Sequence, residues 1–293
     1  MNHITIATRR SPLALAQTSR VAATLRAHGM EVRLLELVTT GDRWSAQGGT
    51  GATRGLFVKE LEEALLDGRA DLAVHSAKDL PADLPRGLAI VAVPRREDPR
   101  DVVIGPRGGL DALPDGAVVG TGSPRRAMQL QLRHPNLVFR EIRGNVGTRI
   151  EKLDDGEFDA IVLAAAGLNR LNISPPNTTP LAISDCVPAP GQGALAMEGR
   201  AERPELFAAT ECLRDAITGR CLEIERAVLR GLGGGCREPI GALAEPDGDD
   251  IRLNVFAASE DGSRHTRLTS TLGPTPADDI AQIVERVQGD IAS

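Results

Sequence analysis

Two distant stretches of the chain open alike: SPLALAQ at 11–17 and SPRRAMQ at 123–129 share the pattern SPxxxxQ. Each follows a short β-rich run, His3–Thr8 in one case and Ala117–Gly120 in the other. Serine then proline is an N-cap followed by a residue suited to the first helical position. A chain that twice runs strand, cap, helix is constrained toward two similar α/β layers. Each layer then aims free N–H groups and a positive helix end at an intervening cleft, a geometry suited to anions. Ser-Pro is also a common helix opening, and so short a pattern does not by itself separate duplication from coincidence.

The rest of the chain supports the layered reading. Helical spacing of Ala14, Thr18, Val21 and Leu25 predicts a helix stopped by Gly29, and Glu31–Val38 reads as the next strand. Leu56–Leu66 reads as a helix and Asp71–His75 as a buried strand; Thr40–Gly55, rich in glycine and small polar residues, reads as an active-site loop. After a strand at Leu88–Val93, PRREDPRD at 94–101 has the content of a linker. A second layer follows, with strands at Ala117–Gly120, Leu137–Glu141 and Asp159–Ala165 and helices from Ser123 and over Val146–Leu153. The proline-rich stretch Asn172–Pro190 predicts no regular structure. From Asp215 a helix with Cys221, Ile224, Val228 and Leu232 on one face, three strands and a last helix carrying Ile280, Ile283, Val287 and Ile291 predict a small α+β domain.

Composition narrows the function classes. At 293 residues with 41% hydrophobic and 25% charged residues the chain has enough material for two or three domains. No apolar run approaches the roughly 18 residues of a bilayer helix, and Met1–Arg10 has no secretory pattern, so a cytoplasmic protein without membrane partners is expected. A net charge of -6 and 2% aromatics argue against nucleic acid as a partner. Cysteines 186, 212, 221 and 236 show neither CxxC nor zinc spacing, so no metal is expected. GTGSP at 120–124 lacks the third glycine of a dinucleotide fingerprint and GxxxxGK is absent, so no nucleotide is expected either.

Arginine is nevertheless concentrated at loops and helix starts: Arg9, Arg10, Arg125, Arg126, Arg140, Arg143, Arg149 and Arg170. In an acidic protein this reserves positive charge for a ligand rich in carboxylate or phosphate, against the plainer reading of solvated surface charge. RGNVGTR at 143–149 favours the ligand, because a glycine turn before a helix brings backbone donors and guanidiniums toward one anion. In HSAKDLP at 75–81, Asp79 follows a strand's carboxyl edge, where it serves as a proton-handling group or as a helix cap. Lys78 beside it suits an acidic ligand, and His75 reads as a satisfied sheet residue. Cys236 in GGGCREPIG is either an exposed attachment thiol or a buried inert one.

Taken together, ATRRSPLAL at 7–15, GLFVKELE at 55–62, ADLAVHSAKDLP at 70–81, REDPRD at 96–101, RGNVGTR at 143–149, GQGAL at 191–195 and GGCREPIG at 234–241 resemble the porphobilinogen deaminase (hydroxymethylbilane synthase) family over nearly the full chain. The resemblance implies condensation of four porphobilinogen molecules with release of four ammonia, then hydrolysis to hydroxymethylbilane in tetrapyrrole biosynthesis. It implies a dipyrromethane cofactor attached through Cys236, catalysis by Asp79, and cofactor contacts from Lys78, Ser123, Arg125, Arg126, Arg143 and Arg149. It further implies substrate contacts from Arg9, Ser11, Arg149 and Arg170, and a loop carrying Lys59 and Arg54, the latter where lysine is frequent. The implied fold is α/β with three domains: two lobes resembling type II periplasmic binding proteins and a small α+β C-terminal domain. Their expected bounds are 1–94 with 194–211, 99–190, and 215–293. A monomer is expected, acting close to the next enzyme of the tetrapyrrole pathway. The competing reading is a non-enzymatic two-lobed protein that binds small anions, which leaves GGGCREPIG without a role.

Overall fold

The computed structural model describes residues 2–41, 58–233, 239–273 and 276–292. The chain divides into two compact units, the first running to Glu97 and including Ala194–Leu222, the second holding Asp98–Gly193 and the residues from Glu223 onward.

The first unit begins with β1 (His3–Arg9), α1 (Pro12–Ala27), β2 (Glu31–Leu37), α2 (Lys59–Leu66), β3 (Leu72–Ser76) and β4 (Leu88–Ala92). The Ser11 hydroxyl accepts from Ala14 N at 3.3 Å, capping α1 with Pro12 at its first position. The chain then supplies β5 (Asp101–Ile104), β6 (Val118–Gly120), α3 (Pro124–Arg133), β7 (Val138–Arg140), α4 (Val146–Asp154), β8 (Ala160–Ala164), α5 (Ala165–Leu171) and β9 (Thr178–Pro180) to the second unit. It returns to the first unit as β10 (Leu195–Arg200) and α6 (Pro204–Ala209).

The two five-stranded sheets have the same topology. The first is ordered β2-β1-β3-β10-β4 and the second β7-β6-β8-β5-β9. In each, the second strand in this order is parallel to two neighbours (β1 to β2 and β3; β6 to β7 and β8), and the fourth strand is antiparallel to both of its own. The correspondence extends to the side chains: the glutamine closing each SPxxxxQ is buried, Gln17 donating to Ser76 Oγ at 2.9 Å and Gln129 to the Val187 carbonyl at 3.0 Å.

Both sheets are buried on two faces, which is why their inner strands read as continuous apolar runs. In the first unit Ile4, Ile6, Leu72, Val74 and Met197 meet Val21 and Leu25 of α1, while Ala7 and Ala73 on the other face meet Leu61 and Leu65 of α2. In the second, Val103, Val119 and Val162 pack with Leu130, and Val102, Ile104, Ile161 and Leu163 with Ile142 and Leu168.

After α7 (Ala216–Gly231) comes an antiparallel sheet of β11 (Gly241–Asp247), β12 (Asp250–Ala258) and β13 (His265–Leu272), then α8 (Ala277–Ala292). Ile280, Ile283 and Val287 of α8 are buried as the sequence predicts, together with Val284. Within the second unit, Phe256 and Leu243 pack on Val187, and Gly241 lies so close to this segment that a Cβ would come within 2.6 Å of the Val187 carbonyl. Two expectations need correction. The proline-rich stretch contains β9, paired antiparallel with β5, and the apparent linker 94–101 ends in the first residue of β5, whose four residues are all buried.

Candidate functional site: a carboxylate pocket and a guanidinium cluster

In the first unit, Asp79 closes a 3-10 turn, Ala77–Asp79, that directly follows β3. Ala77 N donates to the Ala194 carbonyl at 3.0 Å and Leu80 beneath is 1% exposed, so the turn is fixed while Asp79 itself is exposed. Asp79 lines a small pocket with Arg9, Ser11, Gln17, His75 and Ser76. The end of β1, the start of α1 and the end of β3 thus place a cation, a hydroxyl, an imidazole and a carboxylate around one space. Lys78 is half-buried beside Asp79. Lys59, in the first turn of α2, is exposed and 3.8 Å from Glu63.

Sequence reasoning treated His75 as ordinary and passed over its partners. His75 Nε2 lies 3.0 Å from Glu198 Oε2, with both side chains buried. Glu62 of α2 is close enough for their charges to act on it: burial, then Glu198, push its carboxyl up to about 7, with His75 opposing. The available signal was Glu198 itself, a lone acid in the otherwise uncharged run GALAMEG.

In the second unit the structure separates the predicted arginines into two sets. Arg125 and Arg126, both under 7% exposed, converge on the wholly buried Asp101 through contacts of 2.7–2.9 Å. Arg126 also donates to the Val162 carbonyl and Arg125 to that of Val187. Gln192 Nε2 at 2.8 Å and the Cys186 thiol at 3.3 Å also donate to Asp101. Burial pushes the Asp101 carboxyl up, but the two guanidiniums and their hydrogen bonds outweigh it and hold the group well below the usual carboxylate range. The Cys186 thiol in the same interior is pushed up to about 12, mainly by burial, and is therefore a packing thiol. Ser123 caps α3, accepting from Arg126 N at 3.5 Å.

The second set is Arg143, which enters the turn before α4, and Arg149, in the first turn of α4 itself. Gly144 has φ +113°, and a Cβ there would meet Thr148 Cγ2 at 2.8 Å, so only glycine fits. Asn145 caps α4 by accepting from Thr148 N at 2.9 Å. Arg149 Nε donates to the Gly144 carbonyl at 2.8 Å, while Arg143 contacts Glu141. The Arg149 guanidinium is lowered to about 10 by burial and then by the charges of Arg126 and Arg143, which Glu141 only partly offsets. Excess positive charge at a capped helix start is what a polyanion would neutralise. Arg170, at the end of α5, is buried and donates to the Gly193 carbonyl at 2.6 Å. Arg54 and Cys236 lie outside the described residues. Among the described residues no group of His, Cys, Asp and Glu suits a metal ion, and no helix is long and apolar enough to cross a membrane.

Residues 4–208 match the family model described as porphobilinogen deaminase, dipyromethane cofactor binding domain, and residues 220–288 match that of porphobilinogen deaminase, C-terminal domain. A porphobilinogen deaminase of Laribacter hongkongensis is 42% identical over 98% of this chain and 94% of its own length. That of Chromobacterium violaceum is 48% identical over 90% of this chain and 86% of its own. Among solved structures, a nutrient binding protein from Burkholderia cenocepacia bound to methionine is similar at TM-score 0.43 and 13% identity, over 75% of this chain and 95% of that one. With both family models matched in order and relatives this similar over nearly its whole length, the chain belongs to the porphobilinogen deaminase family, transferases of tetrapyrrole synthesis.

Proposed function

We propose that the chain acts as a hydroxymethylbilane synthase whose dipyrromethane cofactor is attached through Cys236 and whose proton-handling carboxylate is Asp79. The observation that carries the reading is the guanidinium excess around Arg149, because each pyrrole of cofactor and substrate brings two carboxylates. This donor set fits the cofactor, which when bound supplies the pyrrole α-carbon on which the product is built.

Arg143 and Arg149 with the Ser123 helix start would hold cofactor carboxylates, and Arg126 adds charge from behind. Arg125 contributes by fixing the Asp101 network under that helix start. Lys78 would pair with a further cofactor carboxylate, and Arg9, Ser11, Arg149 and Arg170 with those of the substrate. Arg54 and Lys59 are assigned to the loop that precedes and enters α2. Asp79, exposed on a fixed turn beside cations, would accept hydrogen bonds from pyrrole N–H groups and stabilise positive charge as the amino group departs. The same reading includes the domain bounds 1–94 with 194–211, 99–190 and 215–293, and a cytoplasmic monomer that passes its product to the next tetrapyrrole enzyme.

Intact and peptide mass analysis of freshly purified protein tests this. The expected result is a two-pyrrole adduct on Cys236, lost in Cys236→Ser, that grows in pyrrole-unit steps when porphobilinogen is added. Active protein with only unmodified Cys236 and no mass steps would overturn it. A protein that merely binds small anions would show neither property.

A further inference from the structure

The roles above leave unused a buried ionisable cluster in the first unit, directly behind the Asp79 pocket. In the antiparallel ladder of β3 and β10, His75 pairs with Ala196 and Ala73 with Glu198. His75 and Glu198 are therefore diagonal neighbours on one face of the sheet, which explains their 3.0 Å contact. That face is covered by α2, which brings Glu62.

Two carboxylates and one imidazole thus meet under α2, His75 and Glu198 buried and Glu62 half-buried. Among the described residues, Glu62 Oε1, both carboxylate oxygens of Glu198 and His75 Nε2 are buried without a hydrogen-bond partner. Such a group is electrically incomplete unless it carries a proton of its own. Glu62 belongs to this set at about 7, within the range where the enzyme must work. Among the described residues, the other charged groups that line the pocket with His75 are Arg9 from the end of β1 and Asp79 from the 3-10 turn, with Lys78 beside Asp79. From α1 comes the uncharged Gln17, and β4 carries no charge. A purely structural ion pair needs no second acid, and a buried pair is often no more stabilising than apolar residues of the same size.

We propose that His75 is a positioning residue for the condensation, acting with Glu198 and Glu62 as a buried proton store for the pocket in which Asp79 works. In each round the C–N bond of the substrate's protonated aminomethyl group breaks, its electron pair leaving on nitrogen as ammonia. A C–C bond forms from the α-carbon of the neighbouring pyrrole, and that carbon's proton must then depart. Asp79 takes this proton at the reacting atoms. The cluster holds it across the pocket that His75 and Asp79 both line, and returns it to the departing ammonia, which leaves as ammonium. The store is thereby reset for the next identical round. The inference rests on the role assigned to Asp79.

The test combines histidine-labelled NMR with single-turnover elongation across pH 6–9, on cofactor-bearing parent, Glu62→Gln and His75→Gln proteins. In the parent, the His75 imidazole signals should show an inflection near pH 7, the Glu62 value, and the elongation rate should follow it. Glu62→Gln should abolish that inflection in both readouts while keeping the covalent adduct. His75→Gln should slow elongation about tenfold or more and flatten its pH profile. An unchanged His75 inflection in Glu62→Gln overturns the proposal, and so does a parental pH profile in folded, cofactor-bearing His75→Gln. If His75→Gln fails to fold, the Glu62→Gln measurements decide. Parental pH profiles alongside an inactive Asp79→Asn would remove the proton store and leave the Asp79 role standing, whereas a fully active Asp79→Asn would remove that role itself.

Discussion

Replacing Asp101 by asparagine tests whether the second unit is organised around one buried anion. The carboxylate is 0% exposed and receives Arg125 Nη2 at 2.8 Å, Arg126 Nε at 2.9 Å and Nη2 at 2.7 Å, and Gln192 Nε2 at 2.8 Å. Asparagine keeps the volume but leaves two buried guanidiniums without a counterion, a loss of about 3–5 kcal/mol. At about 2–4 °C per kcal/mol for a unit of this size, Tm should fall by roughly 6–20 °C. Calorimetry and far-ultraviolet circular dichroism across pH supply the second arm. Because the folded carboxyl titrates below its unfolded value, its contribution is complete above about pH 4 and is lost as the pH falls further. The Tm gap between parent and variant should therefore be constant from about pH 8 to 5 and close below about 4. A Tm change under about 2 °C, or a gap that persists in acid, would refute the argument.

Asp79→Asn should keep fold and adduct while lowering the elongation rate by about a hundredfold or more, as single-turnover kinetics would show; near-parental rates would end its catalytic assignment. Arg149→Met should leave Tm unchanged or raise it, since it relieves repulsion with Arg126 and Arg143, yet reduce the fraction of protein carrying cofactor by mass; a large Tm loss with full occupancy contradicts this. Gly144→Ala should cost about 1–3 kcal/mol in denaturant unfolding, because alanine is strained at φ +113° and its Cβ meets Thr148. A neutral result would show that the turn before α4 adapts more readily than its geometry implies.

Long capped elements were legible in the sequence because their signals are local. Ser11-Pro12 and Ser123-Pro124 each specify a helix start, and Ile280, Ile283 and Val287 specify the buried stripe of α8. Short elements were hidden where tertiary pairing, not propensity, makes them. Asp101–Ile104 is too short to show a period, and its first residue was absorbed into a charged linker. Thr178–Pro180 is an edge strand whose proline the sheet tolerates, so proline content argued against it while pairing with β5 created it. β10 joins the first sheet only after the chain has supplied β5 to β9 to the second, a long-range insertion that no local pattern encodes.

The candidate site divides along the same line. Residue type and spacing singled out Asp79, Arg143 and Arg149 as candidates, because they sit on a turn after a strand and at a helix start that local sequence specifies. The supporting acids Asp101, Glu198 and Glu62 lie in or against sheets, where only the fold gives a carboxylate its partner. The duplicated topology makes the contrast sharper. β5 and β10 hold the same place in their respective sheets, and each carries a wholly buried acid, Asp101 or Glu198. In the second unit that acid meets two guanidiniums that remain charged, so the interior supports a permanent cation set suited to carboxylates. In the first unit it meets an imidazole, with a second acid, Glu62, whose carboxyl is pushed up to about 7 by burial and by Glu198. One framework thus surrounds its buried acid with two guanidiniums in one copy and with an imidazole and a second acid in the other, so the same strand position carries a fixed ion-pair network in one sheet and a cluster with an excess of carboxylates in its counterpart.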